Sequence, residues 1–202
     1  MHGLYAILDS SYIPAGDLTS YCQTVLEAGC RVIQYRDKQA TEAEYLVNAE
    51  KLHTLCRQYN AHFIVNDHLS IAATLECGVH LGGDDVKIKQ ARDTLGPNAI
   101  VGASCYNRIE LAEQAKQQGA TYIAFGAFFS SPTKPQAVVA ASSIISTAKP
   151  LGLPIVAIGG ITPDNGAQLV AAGADMLAVI SDLWQAEDIS ARAKQYQSLY
   201  TP

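Results

Sequence analysis

Side chains suited to binding anions, or to holding a cation against them, recur along this chain, each time just after a short apolar run. The first group is Gln34-Tyr35-Arg36-Asp37-Lys38. Side chains alternate along a strand, so Gln34 and Arg36, with Lys38 if the strand continues, share one face, and Tyr35 and Asp37 share the other. Arginine offers a planar fork to phosphate oxygens and lysine a mobile point charge, so that face suits a phosphorylated ligand. A salt-bridged surface turn is the structural alternative, because Asp37 lies between the two cations. The run Phe63-Ile64-Val65 stops at Asn66-Asp67, and Val79-His80-Leu81 stops at Gly82-Gly83-Asp84-Asp85. Carboxylates repel a bare phosphate, but Mg²⁺ is typically held by one or two carboxylates together with substrate phosphate oxygens. Asp67 and Asp85 can supply that pair, while Asp84 or Asp85 can equally cap the helix that begins near Lys87.

Later strand ends add hydroxyls and glycines. Ser104 closes Ile100-Val101-Gly102-Ala103 as a hydrogen-bond donor, with no His-Asp pair evident that would make it a nucleophile. Ser130-Ser131-Pro132-Thr133-Lys134-Pro135 reads as an anion clamp whose prolines lower its ordering cost, although surface loops favour the same residues. Gly159-Gly160 ends the apolar run Ile155–Ile158 and precedes Thr162 as an N-cap and Pro163 as the first helical residue. Glycines permit close approach, and the first turn of a helix presents N–H groups and a positive dipole end, so this joint suits a phosphate. Ile180-Ser181 closes the last such run. His2, His53, His62 and His68 have no partner spacing; His80 is placed to reach the same region, with a buried, hydrogen-bonded ring as the structural reading.

These positions are strand ends. Strands are expected at Leu4–Leu8, Arg31–Arg36, His62–Asn66, Gly78–Leu81, Ile100–Ser104, Tyr122–Gly126, Ile155–Ile158 and Met176–Ile180. Helices are expected after each, at Leu18–Ala28, Glu42–Tyr59, Leu69–Glu76, Lys87–Leu95, Arg108–Gln118, Ala137–Lys149, Asp164–Ala172 and Asp188–Leu199. Eight strand-helix units with no strand-only section fit an α/β TIM (β/α)8 barrel, a single catalytic domain over residues 1–202. A doubly wound open sheet is the competing architecture, but no Gly-x-Gly-x-x-Gly follows the first strand. In a barrel the chemistry sits at the C-terminal ends of the strands, where all of these residues fall.

Composition narrows the function classes. A formal net charge of −5 and a pI of about 5.4 give no electrostatic footprint for nucleic acid or anionic membrane. No apolar run reaches the roughly 20 residues of a membrane span. The first residues enter a strand without the pattern of a signal peptide, and five cysteines lack Cys-x-x-Cys spacing, so the expected compartment is the reducing cytoplasm.

Taken together, Gln34–Lys38, Asn66-Asp67, Gly78–Gly82 with Asp85, Gly102–Ser104, Gly126–Lys134, Ala157–Ile161 and Ala178–Ser181 resemble the thiamine-phosphate synthase family in order and along nearly the whole chain. The resemblance implies a Mg²⁺-dependent transferase on a TIM barrel. It would join a hydroxymethylpyrimidine diphosphate to a thiazole phosphate carboxylate, with thiamine phosphate, pyrophosphate and CO₂ as products. By the same resemblance, residues 34 to 38, Asn66, Ser104 and Lys134 would hold the pyrimidine diphosphate, with Arg36, Ser104 and Lys134 nearest the chemistry. Asp67 and Asp85 would bind Mg²⁺. Ser131, Pro132 and Thr133 would meet the thiazole substrate, and Gly160 with Ile180 and Ser181 would seat its phosphate. The chain departs from the family's usual residues at Gly83, Asp84 and Ser131. Expected partners are these two small molecules, with self-association left open. A thiazole tautomerase-like isomerase and a non-catalytic barrel that binds thiamine phosphate are the alternative functions.

Overall fold

The computed structural model describes residues 1–14, 16–82, 87–130 and 140–201. Eight strands form a closed parallel barrel in chain order: β1 (Gly3–Asp9), β2 (Val32–Arg36), β3 (His62–Asn66), β4 (Gly78–Leu81), β5 (Val101–Tyr106), β6 (Tyr122–Gly126), β7 (Ile155–Ile158) and β8 (Met176–Val179). The helices are α1 (Leu18–Glu27), α2 (Glu42–Gln58), α3 (Leu69–Leu75), α4 (Ile88–Leu95), α5 (Ile109–Gln117), α6 (Ser143–Ala148), α7 (Pro163–Ala171), α8 (Ser181–Trp184) and α9 (Ile189–Ser198). β8 pairs with β1, so the sheet has no edge.

Strand alternation produces two apolar layers. One side of each strand packs outward on the helices, as Leu4, Ile33, Val65, Val79, Ile123 and Leu177 do. The other side fills the barrel with Tyr5, Ile7, Val32, Ile64, Tyr122, Ala124, Val156, Met176 and Ala178. The register carries this parity around the barrel: Ile7 lies beside Gln34, Gln34 beside Ile64, Asn66 beside His80, His80 beside Gly102, and Gly102 beside Tyr122. A one-residue slip anywhere would turn a polar strand end into the helix layer.

Helix starts follow local chemistry. Thr41 and Glu44 form a reciprocal capping box on α2, and Thr162 with Asn165 forms another on α7, where Pro163 occupies the first helical position. Asp188 caps α9 by accepting from the Ala191 amide. Two helices differ from the sequence expectation. α6 begins at Ser143 rather than Ala137; positions 137–139 lie outside the described residues, and the Ala140 amide donates to the Ala127 carbonyl (2.7 Å), tying the chain back to the β6 end. It passes at Lys149 into a 3-10 turn containing Pro150, a residue that cannot donate an amide to continue an α-helix. α8 was not anticipated, since four residues are too few to show a periodicity. β5 runs two residues further than expected, with a register irregularity against β6 between Ser104 and Tyr106.

Candidate active site

Gln34 and Arg36 both face the barrel interior, as the alternation requires. Gln34 is buried and its amide nitrogen donates to the Tyr5 hydroxyl (2.7 Å). Arg36 pairs with Asp9, the residue beside it in the β1–β2 register, through a direct Nη1–Oδ2 contact. Asp9 is itself buried and also accepts from the Ser11 amide (3.0 Å). The structural alternative of a salt-bridged turn makes Asp37 the carboxylate partner; the partner is Asp9 on the neighbouring strand. Asp37 accepts from the Gln39 and Ala40 amides (2.9 and 3.0 Å), making the turn after β2. Burial opposes its charge, but those amides and the Ser10 and Tyr35 hydroxyls hold its carboxyl below the usual carboxylate range. Tyr35 lies on the opposite face, against Tyr45 of α2 (ring centroids 4.4 Å apart), so its side chain is not brought to the mouth with Gln34 and Arg36. Lys38 is exposed at the rim.

β3 delivers Asn66 and Asp67 together. The Asn66 amide nitrogen donates to Asp67 Oδ2 (2.5 Å), and Asp67 adopts a left-handed backbone (φ +66) while its own amide donates to the His80 carbonyl (2.9 Å). Tyr45 sets this corner: its hydroxyl donates to the Tyr35 carbonyl (2.6 Å) and accepts from the Asn66 amide (3.2 Å), clamping the ends of β2 and β3. Burial pushes the Tyr45 phenol well up, so it stays protonated and able to donate. Among the described residues no three His, Cys, Asp or Glu side chains converge as a metal cluster. Asp85, Gly83 and Asp84 lie outside the described residues, as do Ser131, Pro132, Thr133 and Lys134.

Ser104 and His80 point into the same interior from adjacent strands, with Ser104 Oγ 2.9 Å from His80 Nε2. His80 Nδ1 lies 2.8 Å from the Tyr122 hydroxyl, which lies 2.7 Å from the Tyr5 hydroxyl. With the Gln34 amide bonded to Tyr5, an unbroken hydrogen-bonded chain crosses the barrel from Gln34 to Ser104. Nothing in the residue pattern marks Tyr5, Tyr122 or Asp9 as site residues. Tyr122 reaches the site through the β5–β6 register, which sets it beside Gly102, whose missing side chain makes the space: a Cβ there would stand 2.0 Å from Tyr122 Cζ.

On the far side of the mouth, Gly159 and Gly160 both have positive φ (+103 and +63). A Cβ on Gly160 would meet the Ser130 and Phe129 carbonyl oxygens at 2.6 and 2.7 Å, so the loop after β6 crosses directly over it. The Asn165 side chain of the α7 capping box donates to the Gly160 carbonyl (3.0 Å), fixing the turn. Beside it the chain bends at Ile180 and enters α8 at Ser181. Asp182 is gripped by Arg192 (2.9 and 3.0 Å) and by the Tyr196 hydroxyl (2.6 Å), which also bonds the Ile161 carbonyl (2.9 Å). The Trp184 indole donates to the Ile7 carbonyl (2.6 Å), so α8 is tied to β1, α9 and the β7–α7 turn together.

The fold and this mouth define a TIM-barrel protein whose strand ends gather an arginine, amides, a hydroxyl and a glycine turn of the kind that receives phosphorylated ligands. The chain belongs to the thiamine monophosphate synthase family, whose model matches residues 4–183. It is 47% identical over 201 residues to a thiamine-phosphate synthase of Methylobacillus flagellatus, covering 99% of this chain and 96% of that one. A thiamine-phosphate synthase of Marinobacter nauticus is 45% identical over 197 residues, 96% of this chain and 89% of its own. Among solved structures, a thiamine phosphate pyrophosphorylase from Pyrococcus furiosus superposes with a TM-score of 0.87 at 32% identity, covering 98% of this chain and 94% of that one.

Proposed function

We propose that this barrel is a thiamine-phosphate synthase, a transferase that joins a hydroxymethylpyrimidine diphosphate to a thiazole phosphate carboxylate. The observation that carries the reading is the meeting of Gln34, Arg36, Asn66, Asp67 and Ser104 on one inner face, opposite the Gly160 turn, in a chain of this family. Two phosphorylated ligands can then lie against each other, one on the β2–β5 side and one on the β7–β8 side.

The reaction needs no protein nucleophile. The carbon–oxygen bond to the diphosphate breaks with both electrons going to pyrophosphate, and the aminopyrimidine ring spreads the positive charge left on its methylene. The thiazole nitrogen donates its lone pair to that carbon. Departure of CO₂ leaves an electron pair on the thiazole ring carbon, which takes a proton. The protein's share is positioning and a preorganised field. Arg36 and Lys38 face the diphosphate, with Arg36 oriented by Asp9. Gln34 and Asn66 read the pyrimidine, and Ser104 donates to the same substrate. Lys134 meets the charge that grows on the leaving pyrophosphate, while Ser131, Pro132 and Thr133 contact the thiazole. Gly160, Ile180 and Ser181 seat the thiazole phosphate at the start of α7. A cation about 4 Å from a phosphate oxygen contributes roughly 4 kcal/mol at an effective dielectric near 20, enough to override a modest net negative charge locally.

The oxygen donors of Asp67 and Asp85 fit Mg²⁺, a hard cation that takes carboxylate and phosphate oxygens. Bound there, it would neutralise charge on the diphosphate. All five cysteines are buried free thiols, which supports a reducing, cytoplasmic site of action.

The test mixes the protein with Mg²⁺ and both substrates and follows thiamine phosphate and pyrophosphate together. Equimolar formation of both, abolished by EDTA, is the expected result. Isomerisation of the thiazole phosphate alone would make the protein a tautomerase, and thiamine phosphate binding without turnover would make it a sensor.

A further inference from the structure

The hydrogen-bonded chain across the barrel has a direction, and its direction is set at one end. The Gln34 amide nitrogen has hydrogens to give and no lone pair to offer, so the Tyr5 oxygen accepts from it (2.7 Å). Distance alone lets either hydroxyl of the Tyr5–Tyr122 pair donate (2.7 Å), but the buried Tyr5 hydroxyl has only these two partners and Gln34 Nε2 cannot accept, so its single proton is directed to the Tyr122 oxygen and the Tyr122 proton in turn to His80 Nδ1 (2.8 Å). An imidazole that accepts at Nδ1 carries its proton on Nε2, and Nε2 donates to Ser104 Oγ (2.9 Å). Ser104, half-buried and already accepting, has its hydroxyl proton left to give to whatever lies in the mouth.

We propose that His80 is a positioning residue, held as its Nε2–H tautomer through Tyr122 and Tyr5, whose task is to present Ser104 as a one-way hydrogen-bond donor to the pyrimidine diphosphate. This rests on the synthase reading for the identity of the ligand, though not for the direction of the chain. Opposite polarity would make His80 a base for the serine, the arrangement of a nucleophile. Here the serine proton is kept for the ligand.

Three further observations fit a built relay. Tyr5 and Tyr122 are fully buried, and burial drives both phenols far above their ordinary range, so each keeps the proton it must donate. The His80 and Tyr122 rings stack at 18° with centroids 5.6 Å apart, and Tyr5 meets Tyr122 edge-on at 5.9 Å, which fixes the ring planes. Gly102 leaves the slot in which the Tyr122 phenol sits, where any Cβ would collide with the ring at 2.0 Å. Five strands, β1, β2, β4, β5 and β6, therefore contribute one residue each to the line, and Gln34 at its far end faces the same substrate as Ser104.

Long-range ¹H–¹⁵N correlation spectra of the ligand-free protein report the His80 tautomer directly. Recorded at a pH where the ring is neutral, the expected result is a proton on Nε2; a proton on Nδ1 would overturn the proposal even if the synthase activity stands. Single-turnover kinetics with Tyr122→Phe, Ser104→Ala and the double variant give the functional half. Tyr122→Phe keeps the ring and removes one hydroxyl, and should slow the chemical step about tenfold, the scale of losing an outer partner of a functional group. In the Ser104→Ala background it should cause no further loss, because its effect runs through that hydroxyl. Losses that multiply independently would assign Tyr122 to packing and sink the relay. His80→Gln, which can still donate to Ser104, should retain several-fold more activity than His80→Ala; equal activities at equal unfolding midpoints would also count against it. Absence of synthase activity in the unaltered protein would instead remove the ligand assignment and leave the tautomer result to judge the relay.

Discussion

Asp67 holds its carboxylate on a left-handed backbone, φ +66, which asparagine tolerates nearly as well as aspartate and most other residues do not. Asp67→Asn therefore removes the charge without asking the turn to move, and the Asn66 amide can still donate to the remaining carbonyl oxygen. If Asp67 is a Mg²⁺ ligand, the half-activating Mg²⁺ concentration should rise about tenfold or more with the unfolding midpoint little changed. A Mg²⁺ titration that overlays the wild type would remove Asp67 from the metal site. Gly160 poses the reverse case, a backbone that no side chain fits. Gly160→Ala places a methyl group 2.6 Å from the Ser130 carbonyl at φ +63, and both the strain and the displaced loop fall on the side proposed for the thiazole phosphate. Stability should fall by about 1–3 kcal/mol and the KM for the thiazole phosphate should rise, while binding of the pyrimidine diphosphate, measured alone, stays near wild type. Equal weakening of both substrates would mean that Gly160 supports the whole mouth.

At the scale of elements, α8 is too short to hold itself, and its position is imposed by side chains of other elements. Tyr196 bridges Asp182 of α8 and the Ile161 carbonyl after β7, so one hydroxyl joins both halves of the proposed Gly160–Ser181 seat. Tyr196→Phe leaves the buried ring in place and strips both bonds. A loss of about 1–3 kcal/mol is expected, because the Ile161 carbonyl loses the hydroxyl and Asp182 is left with Arg192 alone, together with weaker thiazole phosphate binding; unchanged binding would show that the seat does not depend on α8. The same contacts show what the sequence could and could not reveal. β3, β4, β6 and β7 coincide with the apolar runs read from the sequence, because strands buried on both faces announce themselves by composition. Gln34 and Arg36 were legible as sharing one face because side chains alternate along a strand. Asp9 was not, since the expected first strand stopped at Leu8, and a carboxylate just past a strand end looks like turn chemistry. The His80–Tyr122–Tyr5 line was invisible because it joins residues 42 and 117 positions apart that meet only after the barrel closes. α8 carried no periodicity to detect.

The barrel interior and the layer between strands and helices together withdraw phenols and thiols from water, and that gives the molecule a pH limit. Burial pushes Tyr5, Tyr45, Tyr122, Tyr196 and Tyr200 well above the ordinary phenol range and Tyr35 up to about 12. It also raises Cys30 to about 11 and Cys77 and Cys105 to about 12. Unfolding returns each group to its normal pKa, about 8.5 for a thiol and about 10 for a phenol. Above those values the unfolded chain releases protons that the folded chain keeps, so stability is fully present below them and is lost as pH rises. On the acid side the signs reverse. Burial, and then the nearby Arg57 charge, lowers His53; burial, and then the N-terminal amine, lowers His62. The unfolded chain then takes up protons first as pH falls below about 6.5, and stability declines there as well. Urea midpoints should therefore form a plateau between about pH 6.5 and 8.5, with the steeper fall on the alkaline side, where more groups act together. Tyrosinate absorbance of the buried phenols should appear only with unfolding. Ionisation of Tyr5 and Tyr122, read as the tyrosinate absorbance lost in their phenylalanine variants, while the urea midpoint holds constant above about pH 10 would mean that water reaches the barrel interior, and the protonated state of the two phenols would then lose its physical basis.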